Sequence, residues 1–92
     1  MSAEPSVQAV IDLLNRKHNI VSKTDFLISM KTILRHLKSV FPSLTPFIIA
    51  RQARIACAIL IERKVISVFE YRQYRNTERE IFKVHTEALL IA

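Results

Sequence analysis

Ser67-Val68-Phe69-Glu70-Tyr71-Arg72-Gln73-Tyr74, followed by Arg75-Asn76-Thr77-Glu78-Arg79-Glu80 and then Ile81-Phe82-Lys83-Val84, is the stretch on which the fold turns. Ser67 with Glu70 at the third position after it has the form of a capping box, in which a hydroxyl and an acidic side chain satisfy reciprocal backbone donors at a helix start. The spacing predicts a helix from Ser67 toward the C-terminus. Val68, Phe69, Tyr71 and Tyr74 open its apolar face, Arg75 to Glu80 is polar on every side, and Ile81, Phe82, Val84, Ala88, Leu89, Leu90 and Ile91 resume the apolar pattern. Two forms are open for the polar interval near 75–80: a break, with Thr77 as a new N-cap, or a continuous helix that crosses solvent.

Working back from there, Thr45-Pro46 reads as an N-cap followed by proline at the first helical position, which predicts a third helix from Pro46 to about Lys64. Phe47 to Ile61 is apolar nearly all round, interrupted by Arg51, Gln52 and Arg54. A helix of that kind forms the centre of a bundle or is shared between subunits. A second helix is expected from about Lys23, after the capping box Ser22-Lys23-Thr24-Asp25, with Phe26, Leu27, Met30, Ile33, Leu34, Leu37, Val40 and Phe41 as its stripe and Pro42 as its stop. The first helix is expected over Pro5 to Arg16, with Val7, Val10, Ile11 and Leu14 at i, i+3, i+4, i+7.

Leu13 to Phe26 and Leu60 to Tyr71 echo one another: an apolar helix end, an Arg-Lys pair, one or two aliphatics, and a capping box with an aromatic. A helical hairpin built twice gives an all-α fold, a small four-helix bundle, as a single domain over 1–92. The absence of glycine, where average usage of about 7% would supply roughly six, points the same way, because tight β-turns lean on glycine.

Composition narrows the function. The one cysteine, Cys57, lies in an apolar run, so no disulfide framework or cysteine metal site is available within one chain. His18, His36 and His85 have no metal-ligand spacing, and Glu78 with His85, two turns apart on a helix, would need ligands from elsewhere. No catalytic carboxylate pair, glycine-rich phosphate loop or nucleophile elbow is present, so a non-enzymatic protein without cofactor, metal or small-molecule substrate is expected. The N-terminus lacks the form of a signal peptide, and no apolar stretch approaches the ~20 residues of a membrane span. An intracellular protein follows as the expectation, cytoplasmic or nuclear, or acting in a virion or host cell if the chain is viral.

Two functions compete. The first is a protein-interaction module, a homo-oligomer or small subunit of an assembly, using Phe47 and Ile48 of the third helix and Val84, Ala88, Leu89, Leu90 and Ile91 near the C-terminus. The second is a basic nucleic-acid-binding accessory protein. Its net charge of +6 includes two stripes at helical spacing, Lys31, Arg35 and Lys38, and Arg75, Arg79 and Lys83. Like charges at that spacing destabilise a helix unless an anion offsets them. A helix-turn-helix needs a short second and third helix at a steep angle, which the long helices expected here fit poorly. Arg51 and Arg54, at the positive end of the third helix, either pair with a carboxylate from another helix or contact an external anion, and the pair is the expectation.

Overall fold

The computed structural model describes residues 4–21, 24–75 and 77–91. Its elements run α1 (Glu4–Val21), β1 (Phe26–Ser29), α2 (Met30–Val40), α3 (Pro46–Glu62), β2 (Ile66–Tyr74), β3 (Thr77–Val84) and α4 (Thr86–Leu90). The protein is therefore mixed α/β, and the expected all-α four-helix bundle is overturned: the segment expected as the fourth helix is a β-hairpin. The three strands form one antiparallel sheet in the order β1-β3-β2.

The hairpin wins over the helix because its residues are β-branched and aromatic, and because paired they bury one face. Ile66 lies opposite Val84, and Phe82 lies between Val68 on one side and Ile28 on the other. Ile28, Ile66, Phe82 and Val84 are buried on the face that the helices cover. Leu27, Lys83 and Ser67 share the opposite face, where Leu27 and Lys83 are exposed. Ser67-Val68-Phe69-Glu70 thus serves as strand, with a β-bulge between Val68 and Glu70 that inserts Phe69 as an unpaired residue. Polar Arg75 to Glu80 is the turn and the returning strand, so neither a broken nor a solvent-crossing helix is present over the described residues.

Helix two also starts later than expected. The box at Ser22-Lys23 falls outside the described residues, and Phe26 to Ser29 forms β1. Ser29 caps α2, its Oγ accepting from the Thr32 N–H at 3.2 Å. Helix α1 runs on through His18 to Val21, beyond the expected end at Arg16. Helix α3 matches its prediction closely: the Thr45 Oγ1 accepts from the Ile48 N–H at 3.3 Å, and Pro46 occupies the first turn.

Val10 and Leu14 of α1, Ile33 and Leu37 of α2, and Ala53, Ala56 and Leu60 of α3 meet the inner sheet face in one core, each fully buried. Cys57 is part of it, and desolvation pushes its thiol up to about 12, which leaves it protonated and unreactive at neutral pH. His36 ties α1 to α2: its Nδ1 stands 3.1 Å from Arg16 Nη2 and its Nε2 3.0 Å from the Ala9 carbonyl. Arg16 donates to Nδ1 and Nε2–H donates to the carbonyl, the tautomer that satisfies both contacts.

Two residues take the left-handed conformation without being glycine, Lys64 at φ 63 and Arg75 at φ 55. Lys64 closes α3: its N–H donates to the Ile61 carbonyl at 3.0 Å and the Val65 N–H donates to the Leu60 carbonyl at 2.9 Å, with Leu60 and Val65 both buried. That is a Schellman motif with lysine at the position where glycine is usual. Arg75 follows Tyr74, which pairs with Thr77 across a two-residue turn. The left-handed region costs a side-chain-bearing residue about 1–2 kcal/mol. Lys64→Gly is expected to stabilise the domain by about 0.5–1 kcal/mol, since glycine's greater freedom when unfolded takes back part of that relief. At roughly 4–8 °C per kcal/mol the thermal midpoint rises by about 2–8 °C; an unchanged or lower midpoint in calorimetry would show that Lys64 contributes packing that outweighs the strain.

Helix α4 is fastened by polar contacts around two buried side chains, Thr86 and Leu89. Asp25 Oδ1 accepts from the Thr86 N–H at 2.9 Å, and the His85 N–H donates to the Val65 carbonyl at 2.8 Å. The Thr86 N–H, with smaller contributions from His85 and Lys83, holds the Asp25 carboxyl below its ordinary 3.8. A depressed carboxyl stabilises the folded state above its unfolded value and loses that contribution as pH falls through its folded value. Asp25→Ala should lower the thermal midpoint at pH 7, with the gap from wild type closing as pH drops below about 3.8. A gap constant from pH 7 to pH 2 would show that the carboxylate is not the group responsible.

Candidate nucleic-acid interface

Helices α2 and α3 are joined by the short connection Phe41 to Thr45 and pack against each other. Phe41 and Leu44 pack against the core, and the Leu44 N–H donates to the Phe41 carbonyl at 3.2 Å, which closes the turn. Helix α2 spans 11 residues, because β1 takes the start of the longer helix expected there. The poor fit to a DNA-binding helix-turn-helix is thus relieved at α2 and kept at α3, which spans 17 residues.

Charge is segregated on this pair. Residues 26–61 contain five lysines and arginines and no aspartate or glutamate, although the whole chain has eight acidic residues. Lys31, Arg35 and Lys38 are exposed on α2, as the helical spacing indicated. On α3 the buried set Ile49, Gln52, Ala53, Ala56 and Leu60 faces inward, with Gln52 accepting from Ser6 Oγ at 3.1 Å. The exposed set is Phe47, Arg51, Arg54, Ile55 and Ala58, at i, i+4, i+7, i+8 and i+11. The expected all-round burial of this helix gives way to a free outer face, on which Phe47 is 77% exposed.

The second basic stripe does not exist as a helical face. Arg75 is at the hairpin turn, Arg79 lies on β3 opposite Arg72 of β2, and Lys83 is at the far end of β3 opposite Leu27 and Ser67. At about 3.3 Å of rise per residue, Lys83 is roughly 13 Å along the strand from Arg79. Arg72 and Arg79, directly opposite one another, repel. Arg72 is met by Glu70 at 2.8 Å on its own strand. The other hairpin face carries Tyr71, Glu78 and Glu80 toward α3. There Arg54 Nη2 stands 3.5 Å from Glu78 Oε1, the interelement pair expected for an arginine at that place. Hydrogen bonding to Glu78, then desolvation, raises the Tyr71 hydroxyl above its ordinary 10.0. Arg51 is in no ion pair among the described residues.

Two hollows mark where these elements converge. One, of about 580 Å³, is bounded by Lys31 of α2 and Arg54 of α3 and by Glu78, Arg79 and Glu80 of β3, so its charge is mixed. The other, of about 310 Å³, lies in the crease between α2 and α3 and is bounded by Lys31, Arg35 and Lys38. The structure thus brings Lys31, Arg35, Lys38 and Arg79 to neighbouring hollows and leaves Lys83 in another place, near Asp25 and His85. Arg54 lines the first hollow, paired there with Glu78, Arg51 is exposed on α3, and Arg72 lies with Arg79 on the hairpin face opposite to Tyr71, Glu78 and Glu80. The acid-free run from 26 to 61 was the sequence signal that would have found the first two; Arg72 becomes visible only through strand register.

The residues expected at a protein interface are divided. Val84 and Leu89 are core, Ile48 and Ala88 are half-buried, and Phe47, Leu90 and Ile91 are exposed. Glu78 and His85, expected two turns apart on one helix face, are at opposite ends of β3. A different trio converges: Ser67 Oγ is 2.8 Å from His85 Nε2, and His85 Nδ1 is 3.7 Å from Asp25 Oδ2. Its order is that of nucleophile, base and orienting acid, yet 3.7 Å is an ion-pair distance beyond hydrogen-bond range. The other Asp25 oxygen is committed to Thr86, so the trio serves to join β2, α4 and the segment before β1.

Among the described residues no helix is long and apolar enough to cross a membrane, and no group of three or more His, Cys, Asp or Glu side chains could hold a metal ion. No protein-family model matches the chain, and comparison with curated proteins and with solved structures finds no match.

Proposed function

We propose that this domain binds duplex DNA through its α2–α3 pair, with α3 presented to the major groove and α2 and the hairpin on the flanking backbone. The observation that carries this is the α2–α3 pair, with no carboxylate from residue 26 to residue 61 and Glu62 at the last position of α3, together with the exposed outer face of α3. A major groove about 12 Å wide admits one helix, and arginine, alanine and phenylalanine are side chains that contact guanine edges and thymine methyls there. Phe47, Arg51, Arg54 and Ala58 supply those types on one face. Lys31, Arg35 and Lys38 flank it as phosphate contacts, and Arg72, Arg75 and Arg79 of the hairpin form a basic arm for the adjoining backbone.

Self-association is a second reading, favoured by the exposed apolar side chains of Leu90 and Ile91, the latter 88% exposed. The two are compatible, because DNA-binding dimers read half-sites related by two-fold symmetry.

Fluorescence anisotropy of a labelled duplex across a salt series tests the DNA proposal. Six phosphate contacts imply a slope of about −5 in log affinity against log salt. Arg35→Glu and Arg79→Glu should each weaken binding at least about tenfold and flatten the slope by about 1, whereas Lys83→Gln, outside the surface, should leave both nearly unchanged. Absence of binding at low salt, or equal effects of all three variants, would sink the proposal. Light scattering on the same samples reports self-association, for which a monomer at every concentration is the contrary result.

A further inference from the structure

The crease between α2 and α3 has two chemically distinct halves. Its floor is apolar, formed by Leu34, Leu44 and Ile49, and its α2 wall carries Lys31, Arg35 and Lys38 on successive turns. No ion pair within the protein engages these three cations among the described residues, and the surrounding sequence from 26 to 61 holds no carboxylate. Like charges on successive turns destabilise the helix unless an anion lies between them. An inorganic anion would meet the wall and leave the floor in water, and a neutral apolar molecule would do the reverse. A molecule with an aliphatic tail and one anionic head answers both.

We propose that this crease is a binding site for a free medium-chain carboxylate, its tail on Leu34, Leu44 and Ile49 and its head among Lys31, Arg35 and Lys38. At about 310 Å³ the hollow is at the small end of the roughly 300–1,000 Å³ typical of ligand clefts, which suits a short tail better than a membrane lipid. The head would occupy the cations assigned above to DNA phosphates, so the carboxylate would release DNA. That regulatory consequence rests on the DNA proposal; the site itself does not.

Backbone amide shifts in nuclear magnetic resonance, recorded during titration with monomeric octanoate and without DNA, test the site directly. Shifts are expected at Leu34, Leu44 and Ala50. Each buried methylene gives about a fourfold gain in affinity, so octanoate should bind at least about thirtyfold more tightly than butanoate. Octanol, which lacks the charge, should bind weakly, and Arg35→Gln should lower octanoate affinity at least about fivefold with the fold unchanged by circular dichroism. Equal binding of octanol and octanoate, shifts located elsewhere, or binding only to vesicles of anionic phospholipid would overturn the site. In the anisotropy assay, octanoate should displace DNA from wild type and less effectively from Arg35→Gln. Binding of octanoate by a protein that never binds DNA would uphold the crease and defeat the DNA proposal, and DNA binding with no octanoate shifts would do the opposite.

Discussion

Phe82 lies opposite Ile28 on one neighbouring strand and Val68 on the other, and the position of every other element depends on that register. In a sheet with one covered face, a slip of one residue would turn Phe82 and Val84 to solvent and bring Lys83 against the helices. Holding Phe82 inward fixes β1 against β3, and β1 leads directly into α2 through Ser29. Through Ile66 and Val84 the same register anchors the segment that leaves α3. The α2–α3 pair is therefore suspended at both ends from one central strand. Its angle to the hairpin is set by apolar burial in the core, while the basic side chains outside are left to face a ligand.

Much of α1, α2 and α3 was legible from the sequence, because each buries a stripe at helical period and α3 has a strong start signal in Thr45-Pro46. The sheet was hidden by three local facts. Phe69 is a bulge, so the alternation of Ile66 and Val68 changes phase before Tyr71 and no clean period of two survives. Both reversals that bracket β2 use lysine or arginine where glycine is expected, and the lack of glycine argued against hairpins. Ser67-Val68-Phe69-Glu70 has the composition of a capping box, yet Ser67 Oγ finds His85 and Glu70 finds Arg72. Local propensity for a helix start gave way to burial of Ile66, Phe82 and Val84 across strands.

The same error decided what could be seen of the surface. Lys31, Arg35 and Lys38 survive as a stripe because α2 is a helix. Arg75, Arg79 and Lys83 were grouped by a helical period that β3 does not have, so the first two go to the hairpin arm and the third to its base. Conversely, Leu89 and Val84 looked like surplus apolar residues only while no sheet existed to use them.

A chain with no glycine also behaves differently before it folds. About six glycines would be usual at this length, and each glycine adds roughly 0.5–1 kcal/mol of backbone freedom that folding must remove. Their absence makes the denatured ensemble narrower by an amount comparable to the strain held at Lys64 and Arg75. The two distorted positions are thus offset in the denatured state, away from the contacts of the folded one. Stability in this domain depends on stiffness along the whole chain as well as on the core, and it is spread over many residues that touch nothing in particular.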